Sequence, residues 1–216
     1  MGPRHIVLKH PSIADIPESS LVEQLMANPY WRFSLLRVHG IPDGSIPYRN
    51  RLLGKLTGRS QGDVDILLSA PGQPELATAV EVKRIKVGAA ALRNQTPNKL
   101  KGFKEGVDQA NELARIGFSL VYLYVFVVVD SREKNAGRVS YEGLSMELKS
   151  LVERVISPSS LDKRVGLMRQ DFVQSMDEAP LGAGSYDSYL VRLAESSKQP
   201  PEVTAWVAQA TAAGED

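Results

Sequence analysis

Between Gly62 and Lys86 the chain reads GDVDILLSAPGQPELATAVEVKRIK. Asp63 and Asp65 stand two residues apart in one apolar run, and Glu81 and Lys83 keep that spacing in the next. In an extended strand, side chains at i and i+2 share a face. Glu81 and Lys83 then project together while Val80 and Val82 turn the other way, and Asp63 and Asp65 share a face of their own strand. If the two runs pair as a hairpin across the PGQPE turn, Asp65 comes close to Glu81. Two carboxylates that close repel unless a cation lies between them, and hard oxygen donors of this kind suit Mg²⁺ or Mn²⁺. The chemistry open to such a set is hydrolysis of a phosphodiester, in which a bound metal ion acidifies water and offsets the charge building on phosphorus. Lys83 can orient that water, deprotonate it or steady the developing charge. The base role needs a depressed lysine pKa, which two neighbouring carboxylates oppose.

The surrounding charge fits a phosphate-bearing polymer. From Gly44 to Gly62 there is no acid, but Arg49, Arg51, Lys55 and Arg59 are present. From Val82 to Lys104 there is again none, against Lys83, Arg84, Lys86, Arg93, Lys99, Lys101 and Lys104. The net charge is only +1, so the clustering carries the argument rather than the total. Nucleic acid, with DNA favoured, is the expected partner, and Arg59, Arg84, Lys86, Lys101 and Lys104 are the expected contacts.

The elements that must position these side chains follow from periodicity and punctuation. Residues 1–17 are Pro-broken and read as irregular. Ser19 or Ser20 can cap a helix over roughly 20–36, with Leu21, Leu25 and Met26 on one face and Pro29 placed to kink or split it. IPDGSIP at 41–47 reads as a turn-rich loop, followed by a short strand near 50–57 interrupted by Gly54. Residues 64–69 and 77–85 read as partner strands. Leu100, Phe103, Val107, Ala110, Leu113 and Ala114 recur at helical spacing within 98–116, with Gly102 and Gly106 unfavourable inside that helix and Gly117 suited to its C-cap. FSLVYLYVFVVVDS is apolar on both faces and reads as a fully buried strand. Beyond it are expected a helix at about 141–156, an alternating segment near 163–176 that extends the sheet, a loop at EAPLGAGS, and short helices over YDSYLVRLAESS and PPEVTAWVAQATA, the latter with Pro201 in its first turn.

The fold class is therefore α/β, a mixed central sheet flanked by helices with helix–strand order αβββαβ. The chain divides into an irregular 1–17, a core of 18–130, and an extension of 131–216 that packs on or lengthens the core.

Other chemistries are disfavoured. The 216 residues include no cysteine, which excludes disulfides, thiolate metal sites and a cysteine nucleophile. His5, His10 and His39 lack zinc-ligand spacing. GIPDG and PLGAG are not followed by the G-K-[ST] of a phosphate-cradling loop. Trp31, with Tyr30 and Phe33, reads as helix packing. The start MGPRHIVLKHPS lacks a continuous apolar run of signal-peptide length, and the run from Leu120 to Val129 is too short to span a bilayer. A soluble cytoplasmic protein with no membrane partner is expected.

An acid in G-D-V-D-I-L-L, a turn, then V-E-V-K within an αβββαβ order resembles the PD-(D/E)XK, or restriction-endonuclease-like, nuclease superfamily. The resemblance covers roughly residues 18–130. It implies that Asp65 and Glu81 hold Mg²⁺, for which Mn²⁺ can substitute, that the Val82 carbonyl joins the metal shell, and that Lys83 serves the attacking water. Asp65 rather than Asp63 is implied because the second acid is the usual ligand in related G-[DE]-x-D openings. An acid on the first helix often completes such sites, with Glu23 the natural candidate and Glu18 the second. A glutamine on the helix after Glu-x-Lys often assists, and Gln109 fits, although Leu113 stands where a tyrosine sometimes follows. The resemblance also leaves room for a catalytically silent nucleic-acid-binding or assembly subunit of a restriction, transposition or phage-defence complex. It further allows a nuclease gated by a protein partner or a homodimer.

Overall fold

The computed structural model describes residues 16–27, 32, 35–36, 40–53, 63–88, 100–130, 150, 153–154, 156–174 and 185–212. Its central strand is the run that is apolar on both faces. In LVYLYVFVVVD, residues Leu120 to Val129 are all buried, so the strand needs a covering layer on each side. Helices supply both layers. In chain order the elements are α1 (Glu18–Ala27), β1 (Ile46–Leu52), β2 (Asp63–Ser69), β3 (Thr78–Gly88), α2 (Leu100–Ile116), β4 (Leu120–Asp130), β5 (Val165–Gln174), β6 (Ser185–Arg192) and α3 (Pro201–Ala212). Short 3₁₀ turns lie at Pro74–Leu76 and Pro158–Ser160.

The strands form one mixed six-stranded sheet in the order β1-β2-β3-β4-β5-β6. β2 pairs antiparallel with both β1 and β3, β3, β4 and β5 are mutually parallel, and β6 returns antiparallel to β5. A parallel β3–β4 pair needs a crossover, and α2 provides it. Alternation divides the core. Ala79, Ile85, Leu123, Val125, Val127, Val165 and Leu167 face Phe103, Val107, Ala110, Leu113 and Ala114 of α2, with Val203, Trp206 and Val207 of α3 in the same cluster. Val80, Val82, Tyr122, Tyr124, Phe126, Met168 and Phe172 face Leu21, Val22 and Met26 of α1. Among the described residues no helix is long and apolar enough to cross a membrane.

The extension after β4 lengthens the sheet through β5 and β6 and returns α3 to the α2 face. Phe118 and Trp206 meet edge to face, with ring centroids 5.8 Å apart. Buried Gln199 ties the segments together, accepting from the Ser119 amide at 3.2 Å and donating to the Pro74 carbonyl at 2.7 Å. Gly117 closes α2 with φ +101° and an amide hydrogen bond to the Leu113 carbonyl, the left-handed cap its sequence position suggests.

Two sequence expectations need correcting. The strand expected near 50–57 starts earlier, at Ile46, inside the presumed loop. β1 is an edge strand, where Pro47 costs no essential ladder bond. YDSYLVRLAESS does not form a helix: Ser185–Arg192 is a strand paired with β5. Tyr186, Tyr189, Leu190 and Leu193 fall by chance at helical spacing, but pairing to β5 decides the conformation and leaves Leu190 and Leu193 exposed. The expected helix near 141–156 falls almost wholly outside the described residues, as do residues 1–15 of the segment 1–17 expected to be irregular, Pro29, Trp31 and the histidines.

Candidate active site

The site lies where β2 leaves β3. Their ladder runs from Leu68–Thr78 through Leu67–Ala79 to Ile66–Val80. The next pair would be Asp65 and Glu81, and there the strands part. β2 is irregular at the same point. Val64 and Leu67 belong to the α2-side core, whereas Ile66 and Leu68 belong to the α1 side, so strict alternation slips at Asp65. Across β2, Asn50 of β1 adopts φ +46°, beside Arg49 and Arg51, which pair with Ile66 and Val64.

Parting two strands leaves backbone donors of β3 without a strand partner, and buried N–H groups must find another acceptor. Carboxylates take that place. The Val82 amide donates to Asp65 Oδ2 at 2.7 Å, and the Arg84 amide donates to Glu18 Oε2 at 2.8 Å. Both amides point toward the gap because N–H groups two residues apart on a strand point the same way. The Val82 carbonyl shares that direction. Glu18 comes from the start of α1, on the other side of the sheet from α2, and reaches β3 through the opening.

Glu81 and Lys83 project on the α2 side. Glu81 is 2% exposed. The Lys83 ammonium lies 2.8 Å from Glu81 Oε1 and 3.2 Å from Glu18 Oε1. α2 is held close to this lysine by Gly106. A Cβ there would fall 2.4 Å from Lys83 Cγ and 3.2 Å from Leu123 Cδ1, so only glycine allows the helix to lie on the lysine stem.

Burial and crowding set the electrostatics. Burial raises the Asp65 carboxyl to about 6, against the opposing pull of the Val82 amide and the Lys83 charge. Burial, then the Asp65 charge, raises Glu81 to about 8 despite Lys83 beside it. Burial disfavours the Lys83 ammonium, but Glu81 and Glu18 outweigh it and hold the lysine above its ordinary value. The acids are thus short of positive charge while the lysine is firmly cationic. Glu81 Oε1 is buried, with the Lys83 ammonium 2.8 Å away. Asp65, Glu81 and the Val82 carbonyl supply hard oxygen donors of the kind a divalent cation takes.

The other expected residues divide. Glu23 is exposed and lines a cleft with Arg32, Arg49 and Arg51 rather than meeting Lys83. Five residues along an α-helix turn about 140°, so a helix that aims Glu18 at β3 aims Glu23 elsewhere. Gln109 is exposed on α2, one turn beyond Gly106 on the flank that meets the lysine. Asp63 is exposed at the mouth of β2, where its charge helps raise both Asp65 and Glu81. Among the described residues the expected nucleic-acid contacts form no single patch. Arg84 and Lys86 alternate with Lys83 and so face the α1 side, whereas Lys104 is exposed on α2. Arg59 and the side chain of Lys101 lie outside the described residues.

The sequence reading missed three features. Gly106 was visible only as an unfavourable helix residue, which is often the trace of close packing. Arg32 gave no signal of its own. On β5, buried Arg169 and Asp171 form an ion pair, with Nη2 to Oδ2 at 3.0 Å, and Arg169 stacks on Tyr189 at 4.4 Å. Register aligns Lys83 with Val125 and Val125 with Arg169, so this pair shares the sheet face of Lys83 two strands away. Its only sequence trace was two charges inside an apolar strand.

No protein-family model matches the chain, and no curated protein matches it. Among solved structures, a protein of unknown function from Silicibacter pomeroyi is similar to it, with 16% identity over 92% of this chain and 86% of that one and a TM-score of 0.37.

Proposed function

We propose that the protein is a metal-dependent nuclease of the PD-(D/E)XK type that hydrolyses phosphodiester bonds, with DNA the favoured substrate. One observation carries the reading: Asp65, Glu81 and Lys83 converge where β2 leaves β3, beside the Val82 backbone. Asp65, Glu81 and the Val82 carbonyl would hold Mg²⁺ or Mn²⁺. Such an ion, when bound, acidifies water and neutralises charge on a phosphodiester oxygen. Asp65 is fixed by the Val82 amide, so its second oxygen is presented without further ordering. Lys83 stays protonated between Glu81 and Glu18, which suits it to donate hydrogen bonds to the attacking water or to a non-bridging phosphate oxygen rather than to remove a proton. Gly106 lets α2 press the lysine stem into place.

The test is incubation of the purified protein with supercoiled plasmid, single-stranded DNA and RNA, in Mg²⁺, Mn²⁺ or EDTA, beside Asp65→Ala, Glu81→Ala and Lys83→Ala. Cleavage that needs metal and is lost in all three variants supports the reading. Metal-dependent cleavage that survives Glu81→Ala refutes the site.

A second reading rests on the same contacts. Lys83 at 2.8 Å from Glu81 offsets part of the glutamate's charge without a metal ion, as it would in a catalytically silent nucleic-acid-binding or assembly subunit. Calorimetric titration separates the two, since a silent subunit takes up neither Mg²⁺ nor Mn²⁺.

A further inference from the structure

We infer that the cleft between α1 and the edge strand β1 is a phosphate-binding track that carries the substrate strand to the carboxylates. This deepens the nuclease reading and rests on it for the identity of the strand. The cleft, about 470 Å³, is lined among the described residues by Glu23, Met26, Ala27, Arg32, Pro47, Tyr48, Arg49 and Arg51. That volume is in the range of small-ligand sites. Among the described lining residues three guanidinium groups stand against one carboxylate, a balance that favours an anion.

The arginines are placed for phosphate rather than for a carboxylate metabolite alone, because of what lies next to them. Arg49 pairs with Ile66 and Arg51 with Val64, so they flank the β1 position opposite Asp65, one strand away. Neighbouring strands lie roughly 5 Å apart, less than the reach of an arginine side chain. A nucleic-acid strand whose scissile phosphate sat at Asp65 and Glu81 would set an adjacent phosphate over this edge. Arg51 is oriented by Tyr48, with its guanidinium carbon 5.5 Å from the ring centroid. Stacking holds the planar fork in place. Arg32 and Arg49 are exposed at the mouth. Of the expected contacts Arg59, Arg84, Lys86, Lys101 and Lys104, the described Arg84, Lys86 and Lys104 are dispersed, whereas the cleft brings arginines together.

The test is fluorescence anisotropy of a short labelled single-stranded DNA in EDTA, titrated at several salt concentrations. The proteins are the wild type, Arg32→Ala, the triple variant Arg32→Ala/Arg49→Ala/Arg51→Ala, and, as a control, Lys198→Ala at an exposed lysine before α3. Arg32 is exposed, so its variant guards against a triple variant that does not fold. The expected result is roughly a fivefold to tenfold loss for Arg32→Ala, and about a hundredfold loss for the triple variant. Lys198→Ala should bind as the wild type does. The dependence of log K on log salt should become shallower by about 0.7 for each arginine removed. A wild type that does not bind, or variants with unchanged affinity and salt slope, overturns the track. So does a triple variant that loses only inorganic phosphate, tested as a competitor, and keeps the oligonucleotide. Failure of the nuclease reading looks different. A wild type that binds through the arginines but cleaves neither DNA nor bis(p-nitrophenyl) phosphate with Mn²⁺ refutes catalysis and leaves the track. A triple variant that keeps hydrolysis of that small diester while losing the oligonucleotide supports both.

Discussion

Glu81 makes the metal-free protein sensitive to pH in an unusual direction. Its carboxyl is raised from 4.5 to about 8 by burial and by the Asp65 charge. The folded state therefore holds this proton more tightly than the unfolded chain does. Stability is complete below pH 4.5 and falls as pH rises toward 8, opposite to a carboxylate whose pKa is depressed. Each pH unit between those values costs up to about 1.4 kcal/mol, giving an upper bound of roughly 5 kcal/mol. Water entry and local relaxation lower such penalties, so a loss of about 2–4 kcal/mol is expected. Asp65 adds a similar fall at lower pH, as it is raised from 3.8 to about 6. The window from pH 6 to 8 therefore isolates Glu81. The assay is urea unfolding of the wild type and Glu81→Gln in EDTA from pH 5 to 9. Glutamine keeps the shape and cannot ionise, so the variant should match the wild type near pH 5 and exceed it by about 2–4 kcal/mol at pH 8. Mn²⁺ at pH 8 should stabilise the wild type by mass action and leave the variant unmoved. A wild-type profile flat from pH 6 to 8, or an equal slope in Glu81→Gln, would refute the claim that Glu81 is buried without sufficient countercharge.

Two further outcomes test the supports of the site. Gly106→Ala gains about 1 kcal/mol of helix propensity but must displace the Lys83 stem, at a cost of about 1–3 kcal/mol. It should leave urea stability within about 2 kcal/mol of wild type while cutting plasmid cleavage at least tenfold, and unchanged cleavage would show that the helix does not position the lysine. Glu18→Ala removes the acceptor of the Arg84 amide and one partner of Lys83; because Glu18 is 41% exposed, the expected cost is about 1 kcal/mol. Glu23→Ala should stay within about 0.5 kcal/mol, and equal effects in thermal unfolding would remove the distinction between the two acids.

Much of this was written locally. β4 had to be buried because its residues are apolar on both faces, α2 followed from its 3.6-residue period, and the pairing of β2 with β3 followed from two apolar runs around a turn. The order α1-β1-β2-β3-α2-β4 was legible for that reason, as was the approach of Asp65 to Glu81, since i and i+2 share a face whatever the rest of the fold does. The misreadings came where neighbours decide. Ser185–Arg192 carries both helical and strand periodicity, and only the open edge of β5 selects the strand. Glu18 and Glu23 are equally acidic and equally helical. Which one meets Lys83 depends on the rotation of α1 against the sheet, set by packing of Leu21, Val22 and Met26. The parting of β2 from β3, which turns the Val82 and Arg84 amides toward carboxylates, has no sequence mark. Gly106 against Lys83, Arg169 in register with Lys83, and Arg32 beside Arg49 and Arg51 join residues remote in sequence. Spacing along the chain fixes which side chains share a face of one element, but distances between elements arise only when they pack, and there the tertiary structure alone decided.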